Sequence, residues 1–411
     1  MSKNNMRRSG GARQLTADPE VLFTPYFQPK SVYFSDGTSY VYLDRMKFDT
    51  GYPSFEQNGT MMAALPALAL IYSPRMKVEQ TGEQAKIIYQ GKTAILHSGD
   101  CAVRAGQESC PMELPVQNVN GILYVAVESL MTRVFGKAAL WEGTYLAPRI
   151  FLGIGERESD LFENMNVVKD MIIHLNKKVG VLKRAYYFKK AEKVCPYSLY
   201  VPMSYDASKP SRLAMVLHGA MQGAADLKWL STGQGHFEEM AEKYHTILLF
   251  VDGYAEGFYG GGTKPTLNRS ECGPDIRHYL DLCEAEPFAA LEEVKKEFNI
   301  DTSHLYLFGN SMGGGGTFYL GNAYPHLFRA IAPCGALVSE NLDAIDMGGI
   351  RDMPILLVVG TENIDFANLD RVVDYLKQKG AKAEGLGVGG GIHADAWIKA
   401  LPDIFAFFAR T

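Results

Sequence analysis

The chain has 411 residues, 47% of them apolar and 21% charged, with a formal net charge of -5. That length and composition predict a globular protein of two or three domains. The acidic balance, with no dense cluster of Lys and Arg, argues against a nucleic-acid partner.

Residues 1–30 are polar and irregular and predict a loose tail. Their basic start is followed by no apolar leader segment. No uninterrupted apolar run is long enough to span a bilayer. As written the chain reads as cytoplasmic by default, or as secreted if a leader has been removed. Six cysteines do not make a disulfide framework in a chain of this length. Cys101 with Cys110, and Cys272 with Cys283, could each bridge in an oxidising compartment, and free thiols are the alternative.

From Ser31, short alternating segments such as Ser39-Tyr-Val-Tyr-Leu43 predict strands. Asn58-Gly-Thr-Met-Met-Ala-Ala-Leu-Pro-Ala-Leu68 then aligns without a gap on Asn120-Gly-Ile-Leu-Tyr-Val-Ala-Val-Glu-Ser-Leu130. Each copy reads as an Asn-Gly turn, a strand and a helix, closing on a strand at Lys77–Glu79 or Ala139–Trp141. The duplication predicts two similar modules packed as one small α+β domain over residues 31–152. Pro66 and Pro74 are expected to interrupt the first copy's helix. His97 stands alone, without neighbours at metal-ligand spacing, so no metal is expected there. Glu156 to Gly180 carries Leu161, Met165, Val168, Ile172 and Leu175 at helical spacing. It predicts a connecting helix within 153–183 that packs onto its own domain.

Residues 184–411 change to α/β signals. Tyr197–Pro202, Arg212–Gly219, Thr246–Asp252, Leu305–Phe308, Ala330–Pro333 and Pro354–Gly360 read as strands. Phe237–Tyr244, Phe288–Phe298 and Leu369–Lys379 read as the helices between them. This alternation predicts a parallel-rich sheet with helices on both faces.

Within it, His304-Leu-Tyr-Leu-Phe-Gly-Asn-Ser-Met-Gly-Gly-Gly-Gly-Thr317 places a GxSxG pattern between a strand and a helix. Such a turn projects a serine hydroxyl above the sheet, and Gly309 and Gly313 leave room for it. The helix behind Ser311 aims free N–H groups at any negative charge developing there. No GxxxxGK[ST] follows, which argues against a phosphate cradle.

A serine needs a base, and the base needs an orienting group. Of nine histidines only His326 and His393 follow Ser311. His326 lies at the far end of the following helix, whereas His393 occupies a glycine-rich loop before the C-terminal helix, and it is the predicted base. The acid is expected in Gly360-Thr-Glu-Asn-Ile-Asp-Phe366. Its usual position, three residues after the glycine, holds Asn363, so Asp365 is the chosen acid, with Asn363, Glu362 and the more distant Glu340 as alternatives.

Met312 N–H and an N–H of Ala220 or Met221, in Leu217-His-Gly-Ala-Met-Gln222, are the candidate oxyanion donors. His218 reads as a structural brace of that loop. The glycine- and aromatic-rich stretch 253–262 reads either as a cover over the substrate or as an insertion held by its own aromatic cluster.

Two resemblances rest on these motifs. Residues 38–145 resemble the repeat modules at the N-terminus of some copper amine oxidases, which implies no copper here. A spacer, an oligomerisation surface or a wall of the active site is the role expected. Pro196-Tyr-Ser-Leu-Tyr-Val-Pro202, Leu217-His-Gly-Ala220, Gly309-Asn-Ser-Met-Gly-Gly314, Tyr324-Pro325, Ala330-Ile-Ala-Pro333 and Gly391-Ile-His393 resemble the α/β-hydrolase branch of feruloyl esterases, polyhydroxybutyrate-depolymerase-like esterases and prolyl-oligopeptidase relatives. The resemblance implies a serine esterase that uses no cofactor and acts on a small or polymeric ester. A serine peptidase or amidase, and a non-catalytic binding protein with a decayed site, are the alternatives.

Overall fold

Asn58 and Gly59, then Asn120 and Gly121, all adopt positive φ, and these four residues set the geometry of the N-terminal half. In the computed structural model, residues 27, 29–142, 151–174, 177–220, 222–223, 236–261, 272–336 and 348–411 are described. Among them, 27–205 form one compact unit and 206–411 another.

The first unit is built on strands β1 (Ser31–Ser35), β2 (Thr38–Leu43), β3 (Met46–Gln57) and β4 (Thr60–Ala64), followed by helix α1 (Leu65–Ile71). Strands β5 (Met76–Thr81), β6 (Gln84–Tyr89), β7 (Lys92–His97), β8 (Ala102–Ala105) and β9 (Glu108–Pro111) then form an antiparallel meander. The second copy of the repeat supplies β10 (Gln117–Val119), β11 (Ile122–Ala126), a helical turn over Val127–Val134 and β12 (Ala138–Glu142).

The two copies pair with each other. Met62, Ala63 and Ala64 face Ala126, Val125 and Tyr124 in antiparallel register. In the sequence alignment Met62 corresponds to Tyr124, Ala63 to Val125 and Ala64 to Ala126. The pairing is therefore two-fold symmetric about the Ala63–Val125 pair, and both residues are fully buried.

Pro66 does not interrupt the first copy's helix as expected. It sits in the first turn, where its missing N–H is not needed and its fixed φ suits the helix. Pro74 lies beyond Ile71, after the helix has ended.

β13 (Phe151–Gly155) and β1 are antiparallel, and helix α2 (Glu158–Ile173) covers them through buried Leu161, Val168 and Ile172. Gly153 and Gly155 admit it, since a Cβ at either would sit 3.0–3.1 Å from neighbouring side-chain atoms, including those of Leu161. The predicted helix thus packs on its own unit. The hairpin β14 (Gly180–Phe188) and β15 (Lys193–Val201) completes this unit.

The second unit carries a parallel sheet. Its strands are β16 (Ser211–Leu217), β17 (Thr246–Val251), β18 (Ile300–Asn310), β19 (Ala330–Cys334), β20 (Pro354–Gly360) and β21 (Lys382–Val388), in the spatial order β17-β16-β18-β19-β20-β21. The central strands are nearly continuous apolar runs because both their faces are covered.

On one face Phe308 meets Phe405 at 6.1 Å and Trp397 at 6.5 Å between ring centroids, with Phe237 stacked beside it. That face receives helices α3 (His236–Tyr244), α4 (Ala396–Lys399) and α5 (Leu401–Arg410). On the other face a Cβ at Gly321, in the helix Met312–Ala323, would come within 2.7 Å of Ile331, whose strand neighbour is Leu307. Helices therefore lie on both faces, as expected.

The helix before β18 spans Pro274–Glu297, far longer than the predicted Phe288–Phe298. Pro287 lies inside it, and that proline is why the sequence pattern stops there. All six cysteines are free thiols, so neither candidate bridge is formed. Burial pushes the thiol of Cys283 up to about 12. Among the described residues no helix is long and apolar enough to cross a membrane.

Candidate active site

Ser311 sits between β18 and the helix Met312–Ala323 at φ 59°, ψ -114°, a conformation an L-residue keeps only when its surroundings enforce it. The glycines around it are the enforcement. A Cβ at Gly309 would lie 2.5 Å from Leu217 O, and one at Gly313 would lie 2.1 Å from the same oxygen. A Cβ at Gly314 would lie 2.3 Å from Cys334 O, at Gly315 3.2 Å from the Phe258 ring, and at Gly316 2.3 Å from the Tyr259 ring. The run of glycines thus lets the end of β16, the end of β19 and an aromatic loop all close on one helical turn. Ser311 N–H donates to Cys334 O at 3.0 Å, which ties this serine to the next strand.

The segment Leu217–Ala220 is braced by the same aromatic loop. A Cβ on Gly219 would lie 3.7 Å from Ser311 Cβ, so Leu217–Ala220 runs beside the serine. The ring nitrogens of buried His218 lie 2.7 Å from Gly219 O and 2.8 Å from Asp252 O. Tyr259 Oη donates to His218 O at 3.1 Å, and Gly253 N–H donates to the buried Glu286 carboxylate at 2.7 Å. Ala220 is exposed and Met312 buried at the first helical position, where the N–H has no partner within the helix. The described part of the aromatic stretch is buried against the elbow helix, with Tyr259 fully enclosed. It packs against the glycines of that helix, Phe258 on Gly315 and Tyr259 on Gly316. Gly262, Met221 and Glu340 lie outside the described residues.

His393 arrives on a loop that Gly360 admits, since a Cβ there would lie 2.1 Å from Gly391 O. Glu362 N–H donates to that same oxygen at 3.0 Å, while the Glu362 side chain is exposed. Asp395 accepts from Ile392 N–H at 2.8 Å and pairs with Lys399 at 2.9 Å. A hydrogen bond from Lys399 holds its carboxyl below the usual carboxylate range.

The imidazole lies over Gly335, where a Cβ would be 3.3 Å from both Cε1 and Nδ1. Asn310 Nδ2 donates to His393 O at 3.2 Å. The residue before Ser311 therefore carries the histidine loop, a contact the sequence does not reveal although Asn310 stands inside the GxSxG pattern. No hydrogen bond joins Ser311 Oγ to His393 among the described residues, and such contacts commonly tighten only with substrate bound.

Of the candidate acids among the described residues, Asn363 is the one in contact: its Nδ2 lies 3.1 Å from His393 Nδ1. Asp365 does not bond the imidazole. Its own N–H donates to Asn363 Oδ1 at 3.1 Å, and its Oδ2 is buried without a partner. Burial raises the Asp365 carboxyl above its usual range, and the charge of His393 pulls it back only in part. His326 is remote. It lines a 780 Å³ cavity with Arg329, Arg351 and Arg410, at the opposite ends of the strands.

A parallel sheet, a strained serine between strand and helix, and a histidine loop after the last strand together define an α/β-hydrolase fold. No family model matches the chain. Over 87 residues, 21% of its length, the chain is 37% identical to a bifunctional acetylxylan esterase/xylanase of Neocallimastix patriciarum, and that match spans 12% of the relative. Among solved structures it is similar to fluorophosphonate-binding serine hydrolase F of Staphylococcus aureus, with 15% identity and a TM-score of 0.44 over 56% of this chain and 98% of that one. An S-formylglutathione hydrolase of Agrobacterium tumefaciens gives 16%, 0.44, 57% and 97% on the same measures. A ferulic acid esterase of Anaeromyces mucronatus gives 20%, 0.40, 56% and 90%.

Proposed function

We propose that this protein hydrolyses carboxylic esters through an acyl-enzyme formed on Ser311. The observation that carries the reading is the strained Ser311 turn, whose neighbour Asn310 bonds the backbone of His393. Ser311 Oγ attacks the ester carbonyl while its proton passes to His393 Nε2. The N–H groups of Met312 and Ala220 receive the oxyanion, each such donor being worth about 3 kcal/mol in the transition state. His393 then returns the proton to the leaving alkoxide, and water repeats the sequence to free the acid. The two-fold paired repeats form an accessory module of the kind their sequence resembles.

Incubation with a fluorophosphonate tests the reading, with labelling expected at Ser311 and lost in Ser311→Ala and His393→Ala. A panel of p-nitrophenyl, acetylxylan, feruloyl and polyester substrates, with a p-nitroanilide as the amide control, assigns the acyl group. Faster amide than ester cleavage would replace esterase with amidase.

One observation favours a second reading, a binding protein that has lost turnover. The group facing His393 Nδ1 is an amide and not a carboxylate. Failure to label Ser311 is its signature.

A further inference from the structure

The amide of Asn363 bridges two partners whose demands fix its orientation. Asp365 N–H can only donate, and it lies 3.1 Å from Asn363 Oδ1. This bond also caps the short helix Ile364–Asn368. Turning the amide over would set its NH₂ against that N–H, donor against donor. The oxygen is therefore committed to Asp365, and the NH₂ is what faces His393 Nδ1 at 3.1 Å. A donor there requires Nδ1 to accept, which leaves the single proton of a neutral imidazole on Nε2.

We infer that Asn363 is a tautomer latch, holding the resting His393 as the Nε2–H form through the amide that also caps the following helix. The Nε2–H form cannot take the Ser311 proton, because the nitrogen that must receive it is already protonated. The imidazolium that follows proton transfer carries N–H on both nitrogens, and its Nδ1–H would point at the Asn363 NH₂. Turnover therefore requires the amide to reverse and surrender its bond to Asp365 N–H. A carboxylate at 363 would face no such conflict, since one oxygen accepts from Asp365 N–H and the other from Nδ1–H. Replacing the orienting aspartate of a serine-protease triad by asparagine leaves the geometry intact and lowers kcat about 10⁴-fold through the same tautomer error. Asn363→Asp is the reverse change, and it keeps the helix cap.

The kinetic arm of the test rests on the serine hydrolase reading, and the spectroscopic arm does not. In ¹⁵N-labelled full-length protein, long-range ¹H–¹⁵N correlations of His393, assigned by their loss in His393→Gln, are expected to show Nε2–H in the wild type and Nδ1–H in Asn363→Asp. Nδ1–H in the wild type, or Nε2–H retained in Asn363→Asp, overturns the latch. Fluorophosphonate labelling is expected to be at least about 100-fold faster in Asn363→Asp than in the wild type, with Asn363→Ala between them. Equal rates at Ser311 overturn the latch and leave the hydrolase reading standing. If no variant labels, the hydrolase reading fails, and the nitrogen spectra alone decide the tautomer.

Discussion

Gly316 and Tyr259 are in van der Waals contact across the elbow helix, so that a Cβ on the glycine would lie 2.3 Å from the tyrosine ring. Tyr259 cannot retreat, being fully buried and bonded through Oη to His218 O. Gly316→Ala is therefore expected to lose about 1–3 kcal/mol by overpacking and to lower kcat by displacing the Leu217–Ala220 segment that runs beside Ser311. Tyr259→Phe keeps the packing and removes one hydrogen bond, for about 1 kcal/mol. Urea midpoints and ester kinetics of the pair check this, and a Gly316→Ala protein as stable as the wild type would remove the aromatic loop from the site's support.

Ser311 adopts a backbone that only glycine takes without cost. Such strain is worth about 1–3 kcal/mol, and a glycine's extra freedom in the unfolded chain offsets about 0.4–1 kcal/mol of the gain. Ser311→Gly is expected to be inactive yet more stable than Ser311→Ala by about 1 kcal/mol. Thermal unfolding of the two inactive variants isolates the backbone effect, because neither carries the hydroxyl.

The elbow was legible because its chemistry is local: a strand, a GxSxG turn and a helix follow one another without interruption. The positions that resisted reading are governed by distant neighbours. β21 was missed because its glycines break the apolar pattern, and they are there because a Cβ at Gly385 would meet Val373 and Leu369 at 3.1–3.2 Å and one at Gly387 would meet Phe366 at 2.6 Å. Pro66 reads as a breaker yet opens a helix, and the helix that the sequence begins at Phe288 starts at Pro274 and contains Pro287. Charge favours Asp365 over Asn363 in the sequence, whereas the contact with His393 depends on which of the two the short helix turns toward the imidazole.

Burial raises the Asp365 carboxyl in the folded protein, so the native state binds a proton that the unfolded chain has already released. Stability consequently falls as pH rises from the ordinary carboxyl range, about 4, through the raised native value. Asp365→Asn is expected to lack that loss, and so to gain on the wild type between pH 4 and pH 7 in urea unfolding. Parallel pH profiles would show that the buried oxygen carries no penalty. Asp365→Ala is expected to retain at least a partial rate, since the Asp365 carboxylate does not bond the imidazole and the N–H that holds Asn363 is backbone.

The repeat pairing supplies a test that chemistry at the site cannot disturb. Gly59 and Gly121 occupy equivalent turns at φ 78° and 86°, and a Cβ on either would meet nothing within 4 Å. Alanine at each position thus introduces only the cost of a left-handed backbone, about 1–2 kcal/mol, with no clash to confuse it. Because the two turns are related by the dyad through Ala63 and Val125, the two costs should agree to within about 0.5 kcal/mol and add in the double variant. A difference of several-fold in the shift of the unfolding midpoint would mean that the copies no longer share one backbone, whatever their sequences retain.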